Sequence, residues 1–552
     1  MRIAIEGCAH GELDKIYETL GVLEEESDKK IDLLLICGDF QSVRNPTDLE
    51  CMAVPPKYRT MNTFYKYYSG EKVAPILTIF IGGNHEASNY LSELPYGGWV
   101  CPNIYYMGYA NVVNVAGIRI AGLSGIYKGN DYLKGHFEYP PYDKSSIKSV
   151  YHIRNIDVFR LKLLKNPVDI CLSHDWPTSV YNYGNKEELL RYKPFFRDEM
   201  ESNKLGSPPA EELLSKLKPR YWFSAHLHCK FAAVIPHDDE NRPETKFLAL
   251  DKCLPGRGFL QILDIDSKSD TVHIEYDPEW LGILKNTNSL LSTSRRYNFL
   301  PSIGDDEHSE FSPSDEEIVL LTKLYGGNFK VPENFCVTAP TFNSQNMPKN
   351  KIMLQTYRNP QTAAICTNLD ITDPLVSLLS NSKGSLSISD FSGTESSMTY
   401  SSMISENMDE ISMNDEDVES EISRNDTDDA FNDDFFIDKV GSQEDNKDSE
   451  DFIIDKKGHS CDIIESDDFY IDKIGSHLSA ETNDISENIT NSHIPCNTPV
   501  IENKQADVFP EIRAVNSSAD VCAMEEDLTP CLKPFKRRNY DLYKSQGDGE
   551  NN

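Results

Sequence analysis

The chain has 552 residues, with 54 Lys and Arg against 89 Asp and Glu, which gives a formal net charge of −35. At about 150 residues per domain this length predicts three or four modules, and a hydrophobic content of 39% indicates that part of the chain stays outside any core. The charge argues against a protein that coats nucleic acid, because Lys and Arg are needed to neutralise phosphates.

Short β-branched runs separated by turn signals predict strands along the first part of the chain. In chain order they are 3–6, 32–37, 75–81, 117–122, 168–173 and 221–225. Amphipathic periodicity predicts helices between them, for example over 12–26 and 211–218. Strands that alternate with helices and then follow one another closely from 231 to 276 indicate a layered α/β domain.

The composition divides the chain into three predicted parts. Residues 1–253 form a first domain, and residues 254–374 carry apolar clusters of their own that predict a smaller appended domain. From residue 375 to 552, Ser, Asn, Asp and Glu dominate, and such a segment buries too little surface to offset its conformational entropy, so we expect a disordered acidic tail. The tail holds 40 acidic and 14 basic residues, a net charge of −26, which leaves −9 on residues 1–374.

The tail contains a sequence repeated three times at a spacing of 17 residues. The copies are DFFIDK at 434–439, DFIIDK at 451–456 and DFYIDK at 468–473. They are either a linear motif that gives avidity for a protein partner or a tandem duplication without a binding role. The basic cluster KPFKRR at 533–538 is a weak match to a nuclear-import signal.

The cysteines and the apolar segments predict a soluble intracellular protein. Thirteen dispersed cysteines without a C-x-x-C pair do not form a disulfide framework and suit a reducing compartment. The N-terminal segment lacks the features of a signal peptide. The longest apolar run, around 73–83, is shorter than the roughly 20 residues that a membrane span needs.

Chemically active side chains follow five of the predicted strands. They are Cys8 with His10, Asp39, Asn84 with His85, His174, and His226 with His228. Strand ends of an α/β sheet converge on one edge, which is where ligands bind. A single such histidine is more simply explained as a buried ring bonded to a carbonyl, but five clusters at five strand ends predict one shared site.

These residue types predict a centre for divalent metal ions. Imidazole and carboxylate ligands suit Zn, Fe and Mn, and a thiolate from Cys8 disfavours Mg and Ca. Asp39 is placed to bridge two ions about 3.5–4 Å apart, and Asn84 adds a neutral oxygen. A metal ion lowers the pKa of bound water from about 15.7 to about 7. His85, next to Asn84, is then the predicted acid for the departing oxygen, a role that contributes about 10²–10⁴-fold.

The order of these motifs resembles the calcineurin-like metallophosphoesterase superfamily, and within it the intron lariat debranching enzymes. The matching strings are GCAHG (7–11), CGDFQSVRN (37–45), GGNHEA (82–87), PYGGWV (95–100), LSGIY (123–127), SHDWP (173–177), SAHLH (224–228) and SRRYNFLP (294–301). The resemblance covers about residues 1–370 and implies a two-sheet β-sandwich flanked by helices, followed by a small C-terminal domain.

The resemblance also implies a site and a reaction. One metal pocket uses Cys8, His10, Asp39 and His228, and the other uses Asp39, Asn84, His174 and His226. The superfamily pattern has Asp where this chain has Cys8, whereas debranching enzymes carry Cys. Because a thiol is a poorer ligand for hard ions, a single Fe, Zn or Mn ion in the second pocket is expected to suffice. The implied reaction is hydrolysis of the 2′–5′ phosphodiester at the branch point of excised intron lariats, with Asn84 and His85 as catalytic residues in a monomeric nuclear enzyme of mRNA processing.

The segment 127–155 is the predicted branch-recognition loop. It interleaves basic and aromatic residues, among them Tyr127, Lys128, Tyr132 and Lys134, and such a mixture suits single-stranded RNA. The competing explanation is a surface insert that packs its tyrosines locally. For the whole chain, the alternatives are another phosphoesterase of the superfamily, acting as a nuclease or phosphatase, and a non-catalytic scaffold on the same fold.

Overall fold

The computed structural model describes residues 1–302, 311–343, 354–381 and 461–464. The strands are β1 (Arg2–Glu6), β2 (Leu33–Ile36), β3 (Leu77–Phe80), β4 (Gly98–Cys101), β5 (Ile104–Tyr106), β6 (Ala110–Val115), β7 (Ile118–Leu123), β8 (Ile170–Ser173), β9 (Tyr221–Ser224), β10 (Phe231–Pro236), β11 (Glu244–Ala249), β12 (Leu260–Asp264), β13 (Ile274–Tyr276) and β14 (Cys461–Ile464). The helices are α1 (Leu13–Ser27), α2 (Pro46–Leu49), α3 (Phe64–Tyr68), α4 (Ser88–Leu91), α5 (Gly129–Tyr132), α6 (Ser146–Ser149), α7 (Asn155–Lys162), α8 (Lys186–Tyr192), α9 (Phe196–Glu201), α10 (Pro208–Leu217), α11 (Pro278–Asn286), α12 (Asp315–Leu324), α13 (Pro360–Leu369) and α14 (Pro374–Asn381). Short 3₁₀ turns occur at Pro56–Tyr58, Val180–Tyr183 and Asn288–Leu290.

These strands form two sheets. The first has the order β14-β12-β1-β2-β3-β5-β4, and the second has the order β10-β11-β9-β8-β7-β6-β13. Neighbours from β1 to β5 in the first sheet are parallel, as are β7, β8, β9 and β11 in the second. The six strands and two helices predicted from periodicity are all present, with ends that differ by a few residues.

Successive side chains of the central strands point to opposite faces of each sheet. Each sheet therefore packs against the other sheet on one face and against helices on the other face, which gives four layers. Ile5 and Leu35 of the first sheet and Ile120 and Leu172 of the second belong to one apolar cluster between the sheets, each at most 1% exposed. On the outer face of the first sheet, Ala4, Leu34 and Ile36 cluster with Leu13, Ile16 and Leu20 of α1. The outer face of the second sheet clusters with residues of α7, α10, α11 and α13. Because side chains point alternately to two buried faces, these strands are mostly apolar instead of alternating between apolar and polar residues. The predicted helix-flanked sandwich is confirmed.

The segment after residue 253 completes both sheets. β12 pairs antiparallel with β1, and β13 pairs antiparallel with β6. A buried Arg44 also ties this segment to the first 253 residues, since its guanidinium donates to Glu93 Oε1 at 2.7 Å and to Thr338 Oγ1 at 3.0 Å. The boundary at 253/254 remains a sequence-based prediction, but β12 and β13 are integral to the sandwich.

Little of the predicted tail belongs to the described residues. They include the end of α14 and the strand β14, which pairs in parallel with β12. The three repeats and the basic cluster at 533–538 lie outside the described residues. Among the described helices, none has both the length and the apolar character that a membrane crossing requires.

Candidate metal centre

Sharp turns at the ends of β1, β2 and β9 create the site. His10, Asp39, His226 and His228 all have left-handed backbone conformations, with φ of 44°, 47°, 63° and 47°. Such conformations are uncommon outside glycine and persist only where the surrounding structure enforces them. Only glycine fits at position 83, after β3, because a Cβ there would lie 2.2 Å from Asp39 Oδ1. The turns bring side chains from both sheets to one point.

Four of the predicted ligands converge in a first cluster. The ligand atoms of Cys8, His10, Asp39 and His228 all lie within 4.8 Å of one another. His10 Nε2 is 3.1 Å from His228 Nε2 and 3.7 Å from Asp39 Oδ2. Asp39 Oδ2 is buried and has no hydrogen-bond partner in the part of the chain that the structure describes. Because a buried carboxylate oxygen needs a compensating partner, this donor set fits a divalent cation.

A second cluster shares Asp39. His174 Nε2 lies 3.3 Å from Asp39 Oδ1 and 3.2 Å from Asn84 Oδ1, and the rings of His174 and His226 are 5.0 Å apart. His174 Nδ1 is 2.7 Å from the carbonyl of Cys37. A proton on Nδ1 would be donated to that carbonyl, which leaves the Nε2 lone pair directed toward Asp39 and Asn84, the arrangement typical of metal-binding histidines. The seven predicted ligands therefore form two adjoining clusters.

The imidazoles of the centre differ in their electrostatics: burial lowers the pKa of His10, His226 and His228, whereas the Asp39 carboxylate outweighs burial and raises the pKa of His174. Burial lowers the pKa of His10 to about 4 and that of His226 to about 3, so both rings are neutral near pH 7. Burial alone would raise the pKa of Asp39, but His174 and His85 hold it well below its usual range. Burial, aided by the Asp39 charge, raises the pKa of the Cys8 thiol.

His85 lies beside the clusters rather than within them. Its backbone N–H donates to Asp39 Oδ1 at 2.9 Å, and its half-buried ring is 5.7 Å from the ring of His10. Nδ1 of His85 has no hydrogen-bond partner among the described residues. The ring is thus held next to the centre by the hydrogen bond of its own backbone, and its Nδ1 is buried.

Glu86, the last residue of the Gly-Asn-His-Glu motif, is a positioning residue. The sequence alone assigns it no role. Its buried carboxylate accepts hydrogen bonds from the backbone N–H groups of Phe40 and Gln41 at 2.8 Å and of Gly83 at 2.9 Å. Burial and the charge of Asp39 raise the pKa of Glu86 to about 7. The carboxylate therefore joins the loop after β2, which carries Asp39, to the loop after β3, which carries Asn84.

Replacing Glu86 with Ala is expected to lower the free energy of unfolding by at least about 3 kcal/mol, because three buried amides lose their acceptor at about 1–3 kcal/mol each. Urea denaturation measures this loss, and kcat/KM should fall with it as the two loops separate. Glu86→Gln, which keeps an acceptor oxygen, should lose less. Glu187→Ala, at an exposed position on α8, is the matched control. Equal stability of Glu86→Ala and the control would contradict the role of Glu86 in joining the two loops.

The four predicted RNA-binding residues of segment 127–155 are all half-buried. The backbone N–H of Tyr127 donates to Asp175 Oδ2 at 3.3 Å, which places the start of the segment beside His174. The rings of Tyr127 and Tyr132 meet edge to face at 5.5 Å. Lys134 pairs with Asp131 at 2.9 Å, and Asp131 Oδ2 also lies 2.7 Å from His152 Nδ1. The segment is thus next to the centre and partly packed on itself, and its contacts with RNA stay a prediction.

Comparisons with known proteins agree with this architecture. Residues 1–230 match the family model described as calcineurin-like phosphoesterase. Residues 242–374 match the model described as lariat debranching enzyme, C-terminal domain. The first of these families implies the use of divalent metal ions, in line with the donor clusters.

Relatives of similar length are highly similar in sequence. The chain is 53% identical over 434 residues to the lariat debranching enzyme of Drosophila pseudoobscura pseudoobscura, an alignment that covers 71% of this chain and 81% of the relative. It is 58% identical over 378 residues to lariat debranching enzyme A of Xenopus laevis, covering 68% and 71%. It is 56% identical over 379 residues to the lariat debranching enzyme of Homo sapiens, covering 68% and 70%.

Proposed function

The chain belongs to the lariat debranching enzyme family, and we propose that it hydrolyses the 2′–5′ phosphodiester at the branch point of excised intron lariats. The products are a linear RNA with a 5′-phosphate at the former branch and a free 2′-hydroxyl on the branch nucleotide. The observation that carries this proposal is the convergence of Cys8, His10, Asp39 and His228 within 4.8 Å, with His85 alongside, in a member of this family.

The proposed mechanism assigns a part to each group of side chains. Two clusters would hold the metal: Cys8, His10, Asp39 and His228 in one, and Asp39, Asn84, His174 and His226 in the other. A bound divalent ion supplies Lewis acidity toward the phosphate and a low pKa for water. His85 protonates the departing 2′-oxygen as the phosphorus–oxygen bond breaks. Asp39 orients His85 through the backbone hydrogen bond at 2.9 Å.

The donor set supports Fe²⁺, Zn²⁺ or Mn²⁺ as the ion. Imidazole nitrogens outnumber carboxylate oxygens in both clusters, and Cys8 adds a soft sulfur, a combination that disfavours Mg²⁺ and Ca²⁺. His226 donates its backbone N–H to Cys8 Sγ at 3.2 Å, a contact that stabilises a thiolate. We place the enzyme in the nucleus, since intron lariats arise there.

Turnover of a synthetic 2′–5′ branched RNA tests the proposal. After chelation, the protein is reconstituted separately with Fe²⁺, Zn²⁺ and Mn²⁺ and offered the branched RNA or a linear 3′–5′ RNA of equal length. We expect the chelated protein to be inactive, at least one of the three ions to restore cleavage, and the linear RNA to remain intact. Equal cleavage of both RNAs would favour a general nuclease, and cleavage of neither would favour a scaffold.

A further inference from the structure

A group of cations lies close to Cys8 of the first metal-ligand cluster. We call it the basic cluster and define it as Lys193, Lys230, Lys252 and Arg257. Its members come from three separate stretches of chain, with Lys252 and Arg257 in one loop, so no run of basic residues marks it in the sequence. The first-domain and C-terminal segments both contribute to it.

Backbone contacts place the basic cluster beside the first metal-ligand cluster. Lys252 forms a β-bridge with Cys8, and the next amide, of Cys253, donates to the Cys8 carbonyl at 3.2 Å. Lys230 comes two residues after His228. The side-chain stem of Lys230 lies against the backbone of Gly258, where an added Cβ would be 3.0 Å from Lys230 Cδ. The loop that carries Arg257 is therefore packed next to the loop that carries His228.

The cations of this cluster are concentrated and incompletely neutralised. Arg257 is 47% exposed and pairs with the buried Asp251 at 3.5 Å. Within the part of the chain that the structure describes, the ammonium groups of Lys193 and Lys252 form no ion pair with a carboxylate. Burial lowers the pKa of Lys193, the charges of Cys229 and Asp251 act to raise it, and those of Arg257 and Lys252 act to lower it. Like charges kept this close favour an anionic ligand that neutralises them.

An exposed aromatic side chain adjoins the cluster in the chain. Tyr192, immediately before Lys193, is 72% exposed at the end of α8. A cationic groove with an exposed aromatic ring is the combination that binds single-stranded nucleic acid, where phosphates are neutralised and a base stacks on the ring. A net charge of −9 on residues 1–374 makes such a local concentration of positive charge necessary for RNA binding.

We propose that the basic cluster, with Tyr192, binds the phosphates of one RNA arm that leaves the branch past Cys8 and His228. This inference rests on the proposed function, because it takes branched RNA as the substrate. Three RNA arms meet at a branch, and segment 127–155 begins beside His174, on the other metal-ligand cluster. A second binding surface next to Cys8 and His228 would hold another arm and orient the branch across the centre.

The test compares two branched RNAs, one with single-nucleotide arms and one with ten-nucleotide arms. For the double variant Lys193→Gln/Arg257→Gln, we expect KM on the long-armed RNA to rise about tenfold, with kcat unchanged. The salt dependence of binding should become shallower by about 1.4 in log–log slope, at about 0.7 for each lost contact with a single strand. kcat/KM on the short-armed RNA should stay within twofold of wild type.

Matched variants separate arm binding from other effects. Lys216→Gln/Lys323→Gln removes the same charge from exposed positions on α10 and α12 and should leave KM unchanged. Lys193→Arg/Arg257→Lys keeps both charges and should retain tight binding. An unchanged KM on the long-armed RNA, or an equal loss on both RNAs, would overturn the inference. Failure of wild type to cleave the short-armed RNA would instead overturn the proposed function.

Discussion

Asp39→Asn is expected to reduce kcat/KM on branched RNA by about 10³-fold, which corresponds to about 4 kcal/mol of transition-state stabilisation. Asp39 is the carboxylate shared by both ligand clusters: Oδ1 lies 3.3 Å from His174 Nε2, and Oδ2 lies 3.7 Å from His10 Nε2. The neutral amide of Asn keeps the size of the side chain but removes the anion around which the imidazoles of both clusters are arranged. Metal content, measured by elemental analysis after reconstitution, should fall together with activity.

Two measurements distinguish loss of metal binding from a folding defect. Asp266→Asn changes the same group at an exposed position and should retain both metal and turnover. Circular dichroism should show that Asp39→Asn keeps its secondary structure. If Asp39→Asn binds as much metal as wild type and stays within tenfold of its activity, Asp39 does not have the bridging role proposed for it.

His85→Ala is expected to lower kcat on branched RNA by about 10²–10⁴-fold while leaving metal content unchanged. The reason is that His85 belongs to neither ligand cluster, yet its ring lies 5.7 Å from that of His10 with Nδ1 unpartnered in the described part of the chain. Loss of a general acid is harmful only when the leaving oxygen needs a proton. A phosphodiester with a nitrophenol leaving group should therefore be hydrolysed by His85→Ala at close to the wild-type rate.

The contrast between the two substrates identifies the role. His273→Ala is the histidine control and should leave both activities intact. It removes a ring that pairs with Glu275 of β13 and that lies far along the chain from the motifs. An equal loss of turnover on branched RNA and on the nitrophenyl ester would show that His85 positions other groups instead of donating a proton. Reduced metal content in His85→Ala would place it among the ligands.

Local sequence carried much of the fold because the central strands are buried on both faces. β2 is apolar throughout and β8 is apolar up to Ser173, and the Gly-Asp and His-Asp motifs follow them closely, so that composition and motif together located the strand ends. The strand pairing of the segment from 254 to 374 does not follow from its local sequence. Its apolar clusters indicated a domain of its own, yet β12 and β13 pair with β1 and β6, since strand pairing depends on partners more than 150 residues away.

The sequence by itself determined the kind of chemistry, because the identity of the ligand residues decides which chemistry is possible. Imidazoles, one shared carboxylate, one amide and one thiol follow the apolar strands directly. It also determined where the acidity lies, with −26 of the −35 charge after residue 374. Only the tertiary structure decided the distances between the ligands and the contacts of Glu86, whose carboxylate accepts from backbone amides about 45 positions earlier in the chain. It also decided that cations from three separate stretches of chain come together near Cys8. These contacts join distant segments, and they depend on the packing of two sheets and the turns between them, which no local pattern records.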